Sequence, residues 1–96
     1  MLMLVTYDVS TESAAGRRRL RRVARTCLDF GQRVQNSVFE CEVDGAQWAV
    51  LRAALMDEID PGRDSLRFYA LGAKGRSKVE HIGTKAARDL TAAFIV

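Results

Sequence analysis

The stretch Met1-Leu2-Met3-Leu4-Val5-Thr6-Tyr7-Asp8-Val9 decides how this chain is read. Residues 2 to 8 have the character of a strand. Leu2 and Leu4 share one parity, and Met3, Val5 and Tyr7 share the other. Successive side chains of a strand point to opposite faces of the sheet. A strand apolar on both parities is therefore covered on both faces. The run then ends in a carboxylate, Asp8, and an arginine-dense segment comes next.

Working outward, Ser10 to Ala15 is a polar connection, with Ser13 placed to cap a helix. The spacing predicts that helix over about residues 14 to 29. Leu20, Val23, Ala24, Cys27 and Leu28 repeat at i, i+3, i+4, i+7 and i+8, which makes one apolar face. Gly31 ends it. Arg33 to Val43 reads as one long strand, with Phe39, Cys41 and Val43 on its apolar parity. Asp44-Gly45 is a turn, and a second helix is predicted over about 46 to 59, with Trp48, Leu51, Ala54, Leu55 and Ile59 inward. Asp60 to Asp64 is a loop. Residues 65 to 71 form a further strand, Gly72 to Ser77 a basic loop, and Val79 to Gly83 a short strand. The tail from Thr84 has weak helical spacing through Ala87, Leu90 and Phe94.

This order suggests an α+β fold, a ferredoxin-like β-α-β-β-α-β sandwich with an extra short C-terminal strand. One strand is missing from the simple count. Either part of Glu40 to Asp44 bends into two segments, or the long second strand pairs twice. In such a sandwich both helices cover one face of the sheet. The two-sided burial of the first strand then requires a cover for the other face, and a second copy of the chain is the simplest one. The expected assembly is a sheet-to-sheet homodimer.

Ninety-six residues make one domain, expected as a folded unit over 1–83 and a tail over 84–96. An apolar fraction of 48% argues against disorder. No apolar run is long enough to span a bilayer, and no basic region precedes the N-terminal apolar stretch, as a signal peptide requires. The expected compartment is the cytoplasm, without a membrane partner. Cys27 and Cys41 lack CxxC spacing and a histidine at zinc-ligand spacing. They read as small buried hydrophobes.

Net charge is only +3, but its distribution is uneven. Arg17, Arg18, Arg19, Arg21, Arg22 and Arg25 fall in an interval from Glu12 to Asp29 that holds no acid between those ends. Exposed helices ordinarily mix signs. The cluster therefore points to phosphate binding by Arg17, Arg18, Arg21, Arg22 and Arg25, with Arg33 in reach and Lys74, Arg76 and Lys78 extending it. A solvated helix face in an arginine-biased composition is the alternative. No base-reading constellation is visible, so binding is expected to be independent of sequence.

At this point the residues resemble a known family, CRISPR-associated protein two. The likeness covers about residues 1 to 83. It rests on Tyr7-Asp8-Val9 ending the first strand, on the arginines of the first helix, on Gly31-Gln32-Arg33-Val34-Gln35-Asn36-Ser37-Val38-Phe39-Glu40, and on Arg67-Phe68-Tyr69-Ala70-Leu71. The resemblance implies a ferredoxin-like homodimer whose last short strand pairs with the sheet of the other subunit. It implies a metal-dependent endonuclease acting on single-stranded RNA or double-stranded DNA, or a scaffold that holds DNA for the CRISPR integrase during spacer acquisition. The tail from Thr84 is then a candidate for docking to that integrase.

The resemblance carries Asp8 over as catalytic residue and metal ligand. In a dimer Asp8 would face its symmetry copy, and the repulsion of two close carboxylates favours a cation between them. Magnesium or manganese (Mg2+ or Mn2+) fits, keeping most of its water shell and activating a water for attack on a phosphodiester. The ligand count is short, because Glu12 is the only other acid close to Asp8 in sequence. A strand-end Asp that caps the backbone of the next loop is the competing reading. Ser10 is a candidate for orienting a water or a phosphate. Phe39 reads as core, and His81 as an interface residue rather than a general base. An RNA-recognition module on the same fold would need exposed aromatics on its central strands, and the predicted dimer covers that face.

Overall fold

The structure is a computed structural model that describes residues 1–72 and 77–84. Its elements run β1 (Leu2–Asp8), α1 (Ala14–Phe30), β2 (Gln32–Gln35), β3 (Val38–Glu42), α2 (Gly45–Glu58), β4 (Ser65–Leu71) and β5 (Ser77–Gly83). One antiparallel sheet has the strand order β2-β3-β1-β4-β5. This is the expected β-α-β-β-α-β sandwich with one further strand.

The predicted long strand over Arg33 to Val43 is two strands. They form a hairpin that turns at Asn36-Ser37, and the register shifts between Arg33 and Gln35. Asparagine and serine supply turn-forming side chains, and β1 secures the turn. The Tyr7 amide donates to the Ser37 carbonyl at 3.1 Å, and the Tyr7 hydroxyl reaches the Asn36 carbonyl at 3.4 Å. Glu40 and its neighbours, the other place where the sequence allows a break, lie within unbroken β3. The missing strand is therefore β2.

Both helices are capped by the residues that the sequence suggests. The Ser13 hydroxyl accepts the Gly16 amide at 3.0 Å. At α2, Asp44 and Gln47 exchange side-chain and backbone hydrogen bonds in a capping box. Val23 and Cys27 are fully buried, with Leu20 and Ala24 packed beside them. Leu28, predicted inward, is 56% exposed. Eight residues advance a helix by roughly 80° beyond whole turns, which carries Leu28 off the stripe that starts at Leu20. Gly31 ends α1 for a steric reason: a Cβ there would collide with the Glu40 carbonyl and the Cys41 sulfur.

The helices lie on one face of the sheet. That face presents Met3, Val5 and Tyr7 from β1, Phe39 and Cys41 from β3, and Leu66 and Phe68 from β4, packed with Leu51, Leu55 and Ile59 from α2 and its end. Cys27, Cys41 and Phe39 are core residues, as expected.

β5 is longer than predicted and pairs with its own β4, from Ser65↔Gly83 to Leu71↔Ser77. The family resemblance assigns it instead to the other subunit's sheet. An open β4 edge offers unpaired backbone groups, and here β5 takes them up. The helical spacing noted from Ala87 onward lies outside the described residues.

Candidate functional site

Asp8 is the last residue of β1, opposite Ser65 of β4 in the register. Tyr7 points into the core, so alternation turns Asp8 to the face away from α1 and α2, where it is exposed. The same face carries Leu2 and Leu4 from β1, Tyr69 and Leu71 from β4, and Val79 from β5. Leu2↔Leu71 and Leu4↔Tyr69 are cross-strand partners, and Tyr69 pairs onward with Val79. Leu71 and Val79 are 37% and 46% exposed. One end of the face is thus apolar, and the other holds Asp8, Arg67 and His81.

Among the described residues no three of His, Cys, Asp or Glu gather at metal-ligand spacing. Among the described residues Asp8 is thus a carboxylate outside any three-residue ligand group. Magnesium is commonly held by one or two carboxylates together with substrate phosphates and water. A single exposed carboxylate is the minimum for that mode, and a second one brought to it would strengthen the hold.

Behind Asp8 sits a group that the sequence places simply at the end of a loop. Asp64 is fully buried. Its Oδ2 accepts Arg19 Nε at 2.7 Å and the Asp60 amide at 2.9 Å. Its Oδ1 accepts the Ser10 amide at 3.0 Å and Arg19 Nη2 at 3.3 Å. Burial pushes this carboxyl up, but the Arg19 hydrogen bond, the two amides and the Arg19 charge outweigh it and hold it below the usual Asp value. The Asp64 carbonyl also accepts the Thr84 amide at 3.1 Å, just beyond β5. Ser10, a candidate water or phosphate ligand, gives its backbone N–H to this cluster.

The arginines of α1 therefore divide. Arg19 turns inward to Asp64. Arg17, Arg18, Arg21, Arg22 and Arg25 remain exposed, and Arg17 also donates to the Thr11 carbonyl at 3.1 Å. The acid-free interval does not survive folding intact. Asp57 and Glu58 of α2 line a shallow groove with Arg22, Arg25 and Thr26. Arg17, Arg18 and Arg21 lie outside that groove. Arg33, from β2, lies over the Phe39 ring at 5.1 Å, a cation–π contact, while Tyr7 stacks on the same ring. Lys74 and Arg76 lie outside the described residues, as does the side chain of Lys78.

Burial sets the chemistry of two further groups. It pushes the Cys27 thiol up to about 12, which leaves it inert as a nucleophile. Arg67 donates to His81 Nδ1 through Nε at 3.1 Å and through Nη2 at 2.8 Å. A guanidinium only donates, so the imidazole proton sits on Nε2. Burial and the Arg67 charge hold His81 below its ordinary pKa.

Comparison with known proteins agrees with this architecture. The family model described as CRISPR associated protein Cas2 matches residues 1–79. The chain is 62% identical, over the full length of both proteins, to the CRISPR-associated endoribonuclease Cas2 of Chlorobaculum tepidum. It is 56% identical over 94% of each chain to the CRISPR-associated endonuclease Cas2 of Halalkalibacterium halodurans. The crystal structure of Streptococcus pyogenes Cas2 at pH 6.5 superposes with a TM-score of 0.70 at 58% identity, covering 75% of this chain and 87% of that one. With the matched span, the identity to its relatives and the fold in agreement, the chain belongs to the CRISPR-associated protein Cas2 family.

Proposed function

We propose that this chain is an endonuclease that hydrolyses phosphodiester bonds of RNA or DNA at a site completed by two copies of itself, within CRISPR adaptation. The observation that carries this reading is the placement of Asp8. It is exposed at the end of the central strand, on the face away from α1 and α2, whose other end is apolar around Leu2, Leu71 and Val79. A second copy laid on that face buries the apolar end and brings its own Asp8 toward the first. The pair brings a second carboxylate to the first. Bound Mg2+ or Mn2+ would lower the pKa of a water and offset charge on the phosphate. The names of the relatives, endoribonuclease and endonuclease, support the reaction class.

The arginines do the holding. Arg17, Arg18 and Arg21 lie outside the groove that the α2 acids line, and we take them as the stronger phosphate ligands. Arg22 and Arg25 are partly offset by Asp57 and Glu58. A dimer repeats this patch about its two-fold axis, which suits a duplex or a folded RNA read by shape.

A second reading is favoured by one observation, the exposed arginines of α1, which can hold phosphates whether or not Asp8 cuts a bond. In it the dimer holds DNA for the integrase subunit and cuts nothing. Asp8→Ala separates the two. In protein purified free of contaminating nucleases, metal-dependent cleavage should fall to background while nucleic-acid affinity stays within about threefold, since one carboxylate contributes little to phosphate binding. Unchanged cleavage would remove Asp8 from the chemistry. Alanine at Arg18, Arg21 and Arg22 together should weaken binding and reduce the salt slope by about one unit per lost contact. An unchanged slope would rule these residues out as phosphate ligands.

A further inference from the structure

The Asp64 carboxylate cannot touch a substrate, because it is fully buried. Its contacts nevertheless converge on the segment that carries Asp8. Ser65, its chain neighbour, lies opposite Asp8 in the β1–β4 ladder. From the other side Asp64 Oδ1 holds the amide of Ser10, two residues beyond Asp8. The strand end is gripped both through the ladder and through the loop on its C-terminal side.

The rest of that loop is fixed as firmly. The Ser10 carbonyl lies against Gly16 of α1, where any Cβ would collide with it. Ser13 caps α1, and Arg17 donates to the Thr11 carbonyl. Arg19 ties the carboxylate to α1 by two hydrogen bonds, and the Asp60 amide ties it to the end of α2. A residue at the end of a ladder takes its direction from the next few residues of the chain. Here those residues are anchored, through Ser10 and α1, to one buried carboxylate. Misplacement of a reacting group by about 1 Å can lower a rate about a hundredfold.

We propose that Asp64 is a positioning residue: by holding the Ser10 amide, with Arg19 as its charge partner, it sets the direction in which Asp8 is presented on the face away from α1 and α2. This rests on the reading of Asp8 as the nuclease carboxylate. Asp64 itself takes no part in the bond-breaking step.

The test uses the full chain as Asp64→Asn and Asp64→Glu. The first keeps the shape and loses the charge. The second keeps the charge for Arg19 and moves the acceptor by one methylene. Each is confirmed folded by a cooperative thermal transition. Metal-dependent cleavage of an RNA and a DNA substrate, with rates referred to the folded fraction, should show kcat lowered by about tenfold to a hundredfold with KM within about threefold. In isotope-labelled protein the Asp8 amide and carboxyl carbon resonances should be displaced, and the Ser10 amide should exchange at least about tenfold faster. A folded variant with wild-type kcat, or with unmoved Asp8 resonances, overturns the proposal. If Asp8→Ala cuts as well as the wild type, the nuclease reading fails by itself, and the resonances alone decide whether Asp64 orients Asp8.

Discussion

Among the described residues, two arginine–carboxylate pairs join distant parts of this molecule, and they are chemically alike. Arg19 grips Asp64 with Nε and Nη2, and Arg52 grips Glu80 in the same two-pronged way. The first ties α1 to the start of β4, and the second ties α2 to β5. Their surroundings differ. The Asp64 side chain is wholly buried, whereas that of Glu80 is 45% exposed. Asp64 also accepts two backbone amides, from Ser10 and Asp60, in addition to its arginine. Exposed pairs exchange one set of water contacts for another and contribute little. A buried carboxylate that holds several donors leaves all of them stranded when it is removed. One clamp organises the fold beside Asp8, and the other decorates its rim.

The largest expected effect is that of Asp64→Ala, which should lower the unfolding free energy by about 3 kcal/mol, read as a drop in urea midpoint at unchanged m. A loss below about 1 kcal/mol would erase the distinction between the two clamps. Acid should act on the same bond. The folded pKa of Asp64 lies below the unfolded one, so its contribution is whole above the ordinary value of 3.8 and is lost as pH falls from there. Asp64→Asn should flatten that part of the profile, and a wild-type curve in the variant would show that another carboxylate governs acid unfolding.

Arg52→Ala should cost no more than about 1 kcal/mol, and the difference should shrink in high salt. A salt-insensitive loss as large as that of Asp64→Ala would mean that the β5 clamp is also structural. The smallest effect belongs to His81. Burial and Arg67 hold its folded pKa below 6.5, so the unfolded chain takes up the proton first. Stability should therefore decline slightly as pH falls through 6.5, and His81→Gln should remove that decline. Persistence of the slope in the variant would assign it elsewhere.

Much of the fold is legible in the sequence because it rests on local periodicity. β1 shows its two apolar parities, α1 its stripe, and Ser13 and Asp44 their caps. The β4 boundaries come from Ser65 to Leu71, bounded by the Asp60-Pro61-Gly62 turn and Gly72. The β2–β3 hairpin is hidden because Asn36-Ser37 interrupts an otherwise continuous strand-like run, and the turn is held by Tyr7 from a different strand. Asp8 stands out because a carboxylate ending an apolar run is conspicuous in one dimension.

Asp64 does not, because nothing near it in sequence explains it. It meets Ser10 across 54 positions and Arg19 across 45. Arg19 is equally hidden among five neighbours of the same type. The chain by itself determined which residues alternate, which face of each helix is apolar, and that Asp8 stands at a strand end. Only the tertiary structure decided which arginine turns inward, which aspartate receives it, and where the acids of α2 lie relative to the remaining arginines. The physical reason is that burial and charge pairing belong to positions in space. Periodicity reports a side chain's face, and cannot report what the rest of the fold brings to that face.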